Sequence, residues 1–349
     1  MSPARLEIAE CLTNSRLHLI VLPTEACNFR CVYCYESFRL KHMDPGVVGG
    51  LKRLIERRAP DLERLDLSWF GGEPLLALDV IEDVMDHANQ VRALHPDLQV
   101  AADITTNGYL LSAATASRLF DRGVHRLQIS LDGPREWHDR TRVRPGGRGT
   151  FDRIWDNLRE LKRSPERFQI TLRLHVDQDN VAVMPDFLRQ VAEEFSDDRR
   201  FDVFLRAIAR LGGPRDASLP VLTDGEAATI LGRLRADAAS LGLALASANT
   251  SDSICYAARA NSFVVRADGR LNKCTVALDQ PSNDVGRLEP DGTVRLRTDR
   301  MLPWMRGLAS GEAEKLSCPL QGITSWKPSA RSGTARTVSL SLAPAAAST

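Results

Sequence analysis

The sequence predicts an α/β protein in which a parallel sheet, either a partial barrel or an open sheet, precedes a small β-rich module. Apolar strand-like runs alternate with helical patterns from residue 17 to about residue 240. Strands separated by helices of this length pair in parallel through crossover connections. Near residue 245 the helical patterns give way to closely spaced turn signals. Six strand–helix units are too few for an eight-fold barrel.

Each predicted strand is an apolar run of six to nine residues, and helical patterns lie between the strands. Asp44 and Pro45 suit the N-cap and the first position of the first helix. The predicted strands are residues 17–22, 65–70, 99–106, 125–131, 168–176 and 201–208. The helical patterns are residues 44–58, 78–94, 112–123, 150–163 and 184–195.

The predicted domains are an N-terminal extension over residues 1–16, the α/β region over 17–240 and the β-rich module over 245–322. Within the module, residues 255–278 predict a β-hairpin with Asp268 and Gly269 at its turn. The last segment, 323–349, has no acidic residue and is rich in Ser, Ala and Thr. We expect it to be disordered.

Composition and charge exclude several classes of function. The chain has 349 residues, 43% of them hydrophobic, and 46 Lys plus Arg balance 45 Asp plus Glu. A net charge of +1 gives no general attraction to nucleic acid or to an anionic membrane. No apolar run is long enough for a bilayer, and the N-terminus lacks the apolar core of a secretory signal. We therefore expect a cytoplasmic protein with reduced thiols and neither a nucleic-acid nor a membrane partner.

Small and polar residues follow the first four predicted strands. In parallel α/β proteins these carboxyl ends carry the chemistry. Each residue by itself is also an ordinary turn residue, but four successive strand ends of this kind predict a site at one rim of the sheet. The residues are Cys27, "FGGEP" (70–74), "TTNG" (105–108) and "SLDGP" (130–134).

Three of the seven cysteines lie within eight residues, as Cys27, Cys31 and Cys34. A structural zinc site and a cubane iron–sulfur cluster each normally need four protein ligands. Three thiolates leave one metal position open for a molecule that binds later. The alternatives are a zinc site with a distant fourth ligand and three unrelated thiols. Cys11 stands alone and is expected to be a small buried side chain.

The cysteine spacing, CxxxCxxC with Tyr33 before the last cysteine, resembles the signature of the radical S-adenosylmethionine (radical SAM) enzymes. "FGGEP" resembles their second motif. "TTNG" and "SLDGPREWHDRTR" resemble the third and fourth strand ends of the branch that matures peptides and proteins. The resemblance covers about residues 17–210 and implies a partial (β/α)6 barrel.

This resemblance also implies cofactors and residue roles. The three cysteines would hold a [4Fe–4S] cluster whose open iron binds S-adenosylmethionine, and one electron from a flavodoxin or ferredoxin would yield a 5′-deoxyadenosyl radical. That radical takes a hydrogen atom from the substrate, and no catalytic side chain is predicted. By position, Gly71, Gly72 and Glu73 would hold the methionine ammonium of the cofactor, and Arg142 or Arg144 would hold its carboxylate. Tyr33 would pack near the adenine, and Ser130 would contact another part of the cofactor.

A second set of cysteines follows in the predicted module. Cys255, Gly269 and Cys274 form a C-x13-G-x4-C pattern that resembles the entry to SPASM and Twitch auxiliary-cluster modules. Cys318 follows, but Gln321 stands where a Twitch module has a further cysteine. Three interpretations remain open: an auxiliary [4Fe–4S] cluster held by three cysteines, a module that has lost iron, and a chain with an altered C-terminus.

A module of this kind implies a peptide or protein substrate. We expect a maturase that installs a cyclophane-type carbon–carbon or thioether cross-link in a ribosomally made peptide, whose leader binds another surface or a separate protein. One alternative is an anaerobic sulfatase-maturing, formylglycine-forming enzyme, which would need the full set of auxiliary cysteines. The others are a Twitch-type dehydrogenase of a small molecule and a metal-binding scaffold, although a scaffold has no need of Gly71, Gly72 and Glu73.

Overall fold

The computed structural model describes residues 3–246, 254–323 and 337–339. Within these residues one mixed sheet contains eleven strands. The strands are β1 (Arg16–Val21), β2 (Arg64–Trp69), β3 (Gln99–Thr106), β4 (Val124–Leu131), β5 (Gln169–Val176), β6 (Phe201–Ala207), β7 (Ser262–Val265), β8 (Arg270–Asn272), β9 (Gly286–Leu288), β10 (Val294–Arg297) and β11 (Thr337–Ser339).

Helices lie between the first six strands and on either side of them in the chain. They are α1 (Pro3–Leu12), α2 (Pro45–Arg58), α3 (Leu78–Leu94), α4 (Ala113–Phe120), α5 (Arg135–Thr141), α6 (Phe151–Arg163), α7 (Met184–Phe195) and α8 (Asp224–Ser240). Three short helices follow β10: α9 (Thr298–Met301), α10 (Arg306–Ser310) and α11 (Ala313–Ser317).

Strands β1 to β6 are parallel and adjacent in chain order, so each strand–helix unit adds one strand to the same edge. All six lie within one residue of their predicted bounds. Buried aliphatic side chains such as Leu67, Ile129 and Leu172 join the helices in one hydrophobic core. The predicted partial (β/α)6 barrel is confirmed.

Helix α2 begins as its sequence predicts. The Asp44 side chain accepts a hydrogen bond of 2.7 Å from the Gly46 N–H, and Pro45 occupies the first turn, where its missing N–H costs nothing. This cap starts α2 at the end of the loop that carries the three clustered cysteines.

The C-terminal strands extend the barrel sheet beyond β1. Strand β7 pairs in parallel with β1, and β8 turns back against β7 through Gly269, whose φ is +85°. Strands β9 and β10 continue in antiparallel order. The predicted hairpin is therefore present, and the predicted module shares its sheet with the barrel.

A buried ion pair fixes this extension to the cysteine loop. The Nε and Nη2 atoms of Arg266 lie 2.7 and 2.6 Å from the two carboxylate oxygens of Glu25. Both side chains are 1–2% exposed, and the Arg266 Nη1 also donates to the Leu278 carbonyl at 2.7 Å. Bidentate pairs of this kind constrain orientation as well as distance.

The expected disordered segment, 323–349, falls mostly outside the described residues. The described part includes Thr337–Ser339, which pairs antiparallel with β10. Among the helices that the structure describes, none combines the length and apolar character needed to cross a membrane.

The packing of α2 on the C-terminal strands yields a matched pair of substitutions. A Cβ at Gly50 would lie 2.5 Å from the Glu289 carbonyl oxygen, whereas a Cβ at Gly49 would meet only the mobile end of Arg53. We expect Gly50→Ala to lower the free energy of unfolding by about 1–3 kcal/mol through overpacking. Gly49→Ala should raise it by about 0.5–1 kcal/mol because alanine favours the helix.

Urea denaturation of both variants measures this difference. Equal effects of the two alanines would contradict the described contact between α2 and the β9–β10 turn.

Candidate functional site

The cysteine loop lies between β1 and α2, at the carboxyl end of the parallel strands. Backbone hydrogen bonds hold it from two sides. On one side the Glu73 N–H donates to the Ala26 carbonyl at 2.9 Å. On the other, the Arg30 N–H donates to the Val143 carbonyl just after α5 at 2.7 Å, and the Val32 N–H donates to the carbonyl of Thr141, the last residue of α5, at 2.9 Å.

Gly71 and Gly72 allow the second strand end to pack directly on this loop. A Cβ at Gly71 would lie 2.3 Å from the Thr24 carbonyl oxygen, and one at Gly72 would lie 2.4 Å from the Ala26 carbonyl oxygen. The family resemblance assigns these glycines to the methionine ammonium. In the structure their missing side chains make room for the backbone of the cysteine loop.

The Glu73 carboxylate is fully buried and accepts three hydrogen bonds within the protein. The Thr106 hydroxyl and the Asn107 N–H donate at 2.7 Å each, and the Leu75 N–H donates at 3.0 Å. Burial raises the pKa of this carboxyl, against the lowering effect of the same hydrogen bonds. These three bonds leave one of the roughly four acceptor positions of the carboxylate, on Oε2, for a further donor.

Asn107 connects the Glu73 carboxylate to the first cysteine of the loop. No separate role for Asn107 was predicted from the sequence. Its Nδ2 donates to the Asn28 side-chain oxygen at 2.7 Å and lies 4.0 Å from the Cys27 sulfur. Its position in "TTNG", at the end of β3, was the available signal.

The three thiols of the loop are partly buried and influence one another. Burial raises the pKa of Cys27 to about 12, despite a hydrogen bond from the Phe29 N–H. The neighbouring Cys31 and Cys34 thiols raise it further. Burial also raises the pKa of Cys34 to about 12 and raises that of Cys31. Thiols in such surroundings become thiolates when bound metal supplies positive charge.

Tyr33 belongs to a polar network between the loop and the ends of β4 and β5. Its hydroxyl accepts a bond of 2.7 Å from Arg142 Nη1 and donates to Asp132 Oδ1 at 3.0 Å. The His175 ring lies edge-on to Tyr33, with Nδ1 at 2.9 Å from the same carboxylate oxygen. The other carboxylate oxygen accepts from the Thr141 hydroxyl at 2.6 Å.

The charges of this network follow from burial. Burial opposes ionisation of Asp132, but the His175 hydrogen bond and the Arg142 charge outweigh it and hold the pKa of Asp132 well below its usual range. Burial lowers the pKa of His175 to about 4, so the ring is neutral at pH 7 and its Nδ1–H donates. Burial also disfavours the charged form of Arg142, yet Tyr33, Cys31 and Asp132 together raise its pKa.

The structure separates the two arginines that the sequence left as alternatives. Arg142 is 6% exposed, and its buried Nε has no hydrogen-bond partner among the described residues. Arg144 instead donates to the Tyr109 hydroxyl at 3.0 Å and lies 5.0 Å from that ring. Arg142 is therefore the arginine of the site with an unused donor. Ser130 is buried in β4, in register with Arg173 of β5.

His175 is not among the predicted site residues, and Asp132 is predicted only as part of the "SLDGP" turn. The available signals were their positions at the ends of β5 and β4. Beside them lies a cavity of about 160 Å³, lined by Tyr33, Asp132, Trp137, Ile208 and Pro220 among others.

The second set of cysteines is also brought together. The Cys255 N–H donates to the Leu316 carbonyl at 2.9 Å, which draws α11 and Cys318 toward it. Burial raises the pKa of Cys255, and the Cys274 and Cys318 thiols raise it further. The Asn283 side chain accepts from the Cys274 N–H at 3.0 Å and holds this turn in place. Cys11, in contrast, is buried and separate, as predicted.

Among the described residues, no three His, Cys, Asp or Glu side chains converge on one point as ligands of a single metal ion. A cubane differs from such a site because it holds each thiolate on a separate iron atom. The donor set of three thiols, together with an arginine that has an unused buried donor, fits a cluster with an open iron and a carboxylate-bearing ligand.

Residues 21–176 match the model of the radical SAM superfamily. The cysteine-type anaerobic sulfatase-maturating enzyme of Clostridium novyi is 24% identical over 226 residues, which are 62% of this chain and 58% of that protein. A GTP 3′,8-cyclase of Sulfurovum is 36% identical over 117 residues, 33% of this chain and 34% of that protein. The chain thus spans only part of the length of these relatives.

Two groups of solved structures share the fold. The structure of native anSMEcpe with bound AdoMet has a TM-score of 0.64 at 20% identity and covers 78% of each chain. SuiB of Streptococcus suis, bound to the precursor peptide SuiA, has a TM-score of 0.54 at 12% identity, covering 80% of this chain and 64% of that one. The predicted resemblance to radical SAM enzymes is confirmed.

The buried histidines predict how stability depends on pH. Burial lowers the pKa of His138 to about 4, so below pH 6.5 the unfolded chain takes up a proton that the folded chain refuses. Stability should therefore fall as the pH falls, by about 2 kcal/mol for this residue between pH 7 and pH 5. His18 and His175, each with a pKa lowered to about 4, act in the same direction.

Urea denaturation at pH 7, 6 and 5 measures the slope. His138→Gln should lower the proton uptake on unfolding between pH 7 and pH 5 by about one proton, and so flatten the slope. A stability that does not change over this pH range would contradict the neutral buried histidines.

Proposed function

We propose that this chain, which carries a radical SAM domain over residues 21–176, is a maturase of ribosomally made peptides. It would cleave S-adenosylmethionine reductively, abstract hydrogen from the peptide and install a cyclophane-type carbon–carbon or thioether cross-link. The radical SAM family uses a [4Fe–4S] cluster and S-adenosylmethionine, so these are the cofactors that the predicted site residues must hold.

The observation that carries the proposal is the enclosure of the cysteine loop by three separate strand ends. Glu73 follows β2, Asn107 follows β3, and Thr141 lies beyond β4, and each is bonded to this loop or to its neighbours. A metal scaffold would need only the thiols. The additional contacts fix the loop relative to Arg142 and Tyr33, as a site for an oriented ligand requires.

Each residue contributes binding or orientation. Cys27, Cys31 and Cys34 would hold the cluster, which supplies the electron that breaks the sulfur–C5′ bond when the cofactor is bound. The unused Arg142 Nε suits the methionine carboxylate, and the Asp132–His175 pair holds Tyr33 and, through it, this guanidinium. The Glu73 carboxylate and the backbone oxygens of the 71–73 turn suit the ammonium, because Oε2 accepts only one hydrogen bond within the protein. The cavity beside Tyr33 suits the adenine.

A peptide substrate is supported by the structural neighbours. One structure of anSMEcpe contains the Cp18Cys peptide, and one of SuiB contains the precursor SuiA. These likenesses are below 25% identity and by themselves concern the fold. The specific bond that is formed, the flavodoxin or ferredoxin donor and a separate leader-binding protein remain parts of the proposal.

We also propose that Cys255, Cys274 and Cys318 hold an auxiliary [4Fe–4S] cluster with one iron free of cysteine. Their mutual electrostatic influence and the Cys255–Leu316 bond support this assignment. A sulfatase-maturing activity is the second candidate, supported by the Clostridium novyi relative. The three cysteines after residue 245 argue against it, since that activity was expected to need a fuller auxiliary set.

Iron counting after anaerobic reconstitution tests both cysteine sets. Wild type should bind about eight irons, and the triple variant Cys27→Ala/Cys31→Ala/Cys34→Ala should keep about four, as expected for two cubanes. The matched triple variant at Cys255, Cys274 and Cys318 should lose the other four. Dithionite and S-adenosylmethionine should yield 5′-deoxyadenosine with wild type and none with the first triple variant.

Four irons in wild type and none in the first triple variant would contradict the proposed auxiliary cluster. Wild type without 5′-deoxyadenosine would overturn the radical reaction. With a precursor peptide, the proposed cross-link predicts a product two hydrogens lighter by mass spectrometry, whereas a sulfatase-type peptide converted to formylglycine would favour the second candidate.

A further inference from the structure

Two arginines lie diagonally across β5 and β6, on the face of the sheet that carries the Tyr33 network. Arg173 of β5 is in register with Ser130 of β4, and His175 is in register with Arg206 of β6. Side chains two residues apart on a strand point to the same face. Arg173, Arg206 and His175 therefore share one face, the same face that meets Asp132 through His175.

Neither arginine has a counter-ion among the described residues. Within residues 3–246, 254–323 and 337–339, the buried Nε of Arg173 has no hydrogen-bond partner, and neither Arg173 nor Arg206 forms an ion pair. The carboxylates of neighbouring strands are engaged elsewhere. Asp132 is bonded to Tyr33, His175 and Thr141, Asp103 to Ser68 and Asp202 to Gln169.

This arrangement is electrostatically unfavourable while no anion is present. Burial lowers the pKa of Arg173, and the Arg206 charge lowers it further, against smaller opposing effects of Tyr33 and Tyr35. A buried cation without a partner costs free energy that a bound anion offsets. Two guanidinium groups on one wall match a carboxylate, which accepts paired hydrogen bonds from arginine.

We propose that Arg173 and Arg206 form a subsite for the carboxylate of an Asp or Glu side chain in the peptide substrate. The assignment rests on the proposed function, and it is separate from the cofactor carboxylate that Arg142 takes. Arg206 is exposed and Arg173 is partly buried, so the subsite is reachable from the open side of the barrel. It makes the enzyme selective for peptides with an acid near the residue that loses hydrogen.

The probe is N-acetyl-glutamate N-methylamide, compared with its glutamine counterpart. Both are titrated by saturation-transfer NMR into the full-length, reconstituted protein with S-adenosylmethionine bound. We expect wild type to bind the glutamate probe about tenfold or more tightly than the glutamine probe, because hydrogen bonds to charged groups are the stronger class. Arg173→Met and Arg206→Met should each abolish this preference.

Arg126→Met is the matched control. Arg126 lies four residues before Ser130 on β4, so it shares the same face, but its guanidinium is paired with Asp103 at 3.7 Å. This variant should keep the preference. Arg206→Met changes an exposed side chain, so it remains informative if Arg173→Met does not fold.

Two results would overturn the subsite: equal binding of the two probes by wild type, or a loss of S-adenosylmethionine affinity in Arg173→Met by calorimetry, which would place Arg173 in the cofactor site. Formation of 5′-deoxyadenosine by wild type is measured in parallel. Its absence would defeat the proposed function, while the probe preference would still decide whether the carboxylate subsite exists.

Discussion

The close approach of two backbone segments, at Gly72 and Ala26, is the constraint on which the site depends. The distance from a Cβ at Gly72 to the Ala26 carbonyl oxygen would be only 2.4 Å, and the same carbonyl accepts the Glu73 N–H at 2.9 Å. No side chain larger than hydrogen fits there without moving one segment. The end of β2 therefore fixes the start of the cysteine loop.

Beyond this backbone contact, side-chain hydrogen bonds position the cysteine loop. The Glu73 carboxylate accepts the Asn107 N–H and so holds the end of β3. The Asn107 side chain in turn contacts Asn28 and Cys27 in the cysteine loop. On the other side of the loop, Tyr33 is held by Arg142, Asp132 and His175. Because buried polar networks are costly when incomplete, each missing partner weakens its neighbours. The Arg266–Glu25 pair extends the same rigidity to the C-terminal strands.

The strands and the positions of the motifs were predictable from the sequence, because apolar periodicity decides both. The partial barrel follows from six alternating units, and the cysteine spacing indicates a metal position left open. The roles within the motifs were less accessible. The family resemblance predicts that Glu73 binds an ammonium group, but it does not predict that the buried carboxylate also accepts three hydrogen bonds within the protein. His175 belongs to an ordinary strand pattern, and only the register of β4, β5 and β6 places it beside Asp132 and Arg173.

Gly72→Ala tests most directly the claim that this backbone contact sets the cysteine loop. After anaerobic reconstitution, the variant should lose about four irons and keep those proposed for Cys255, Cys274 and Cys318. It should also form no 5′-deoxyadenosine. Gly232→Ala, where a Cβ meets open space on α8, should keep the full iron content. A Gly72→Ala protein with wild-type iron content and undiminished cleavage of S-adenosylmethionine would contradict the claim.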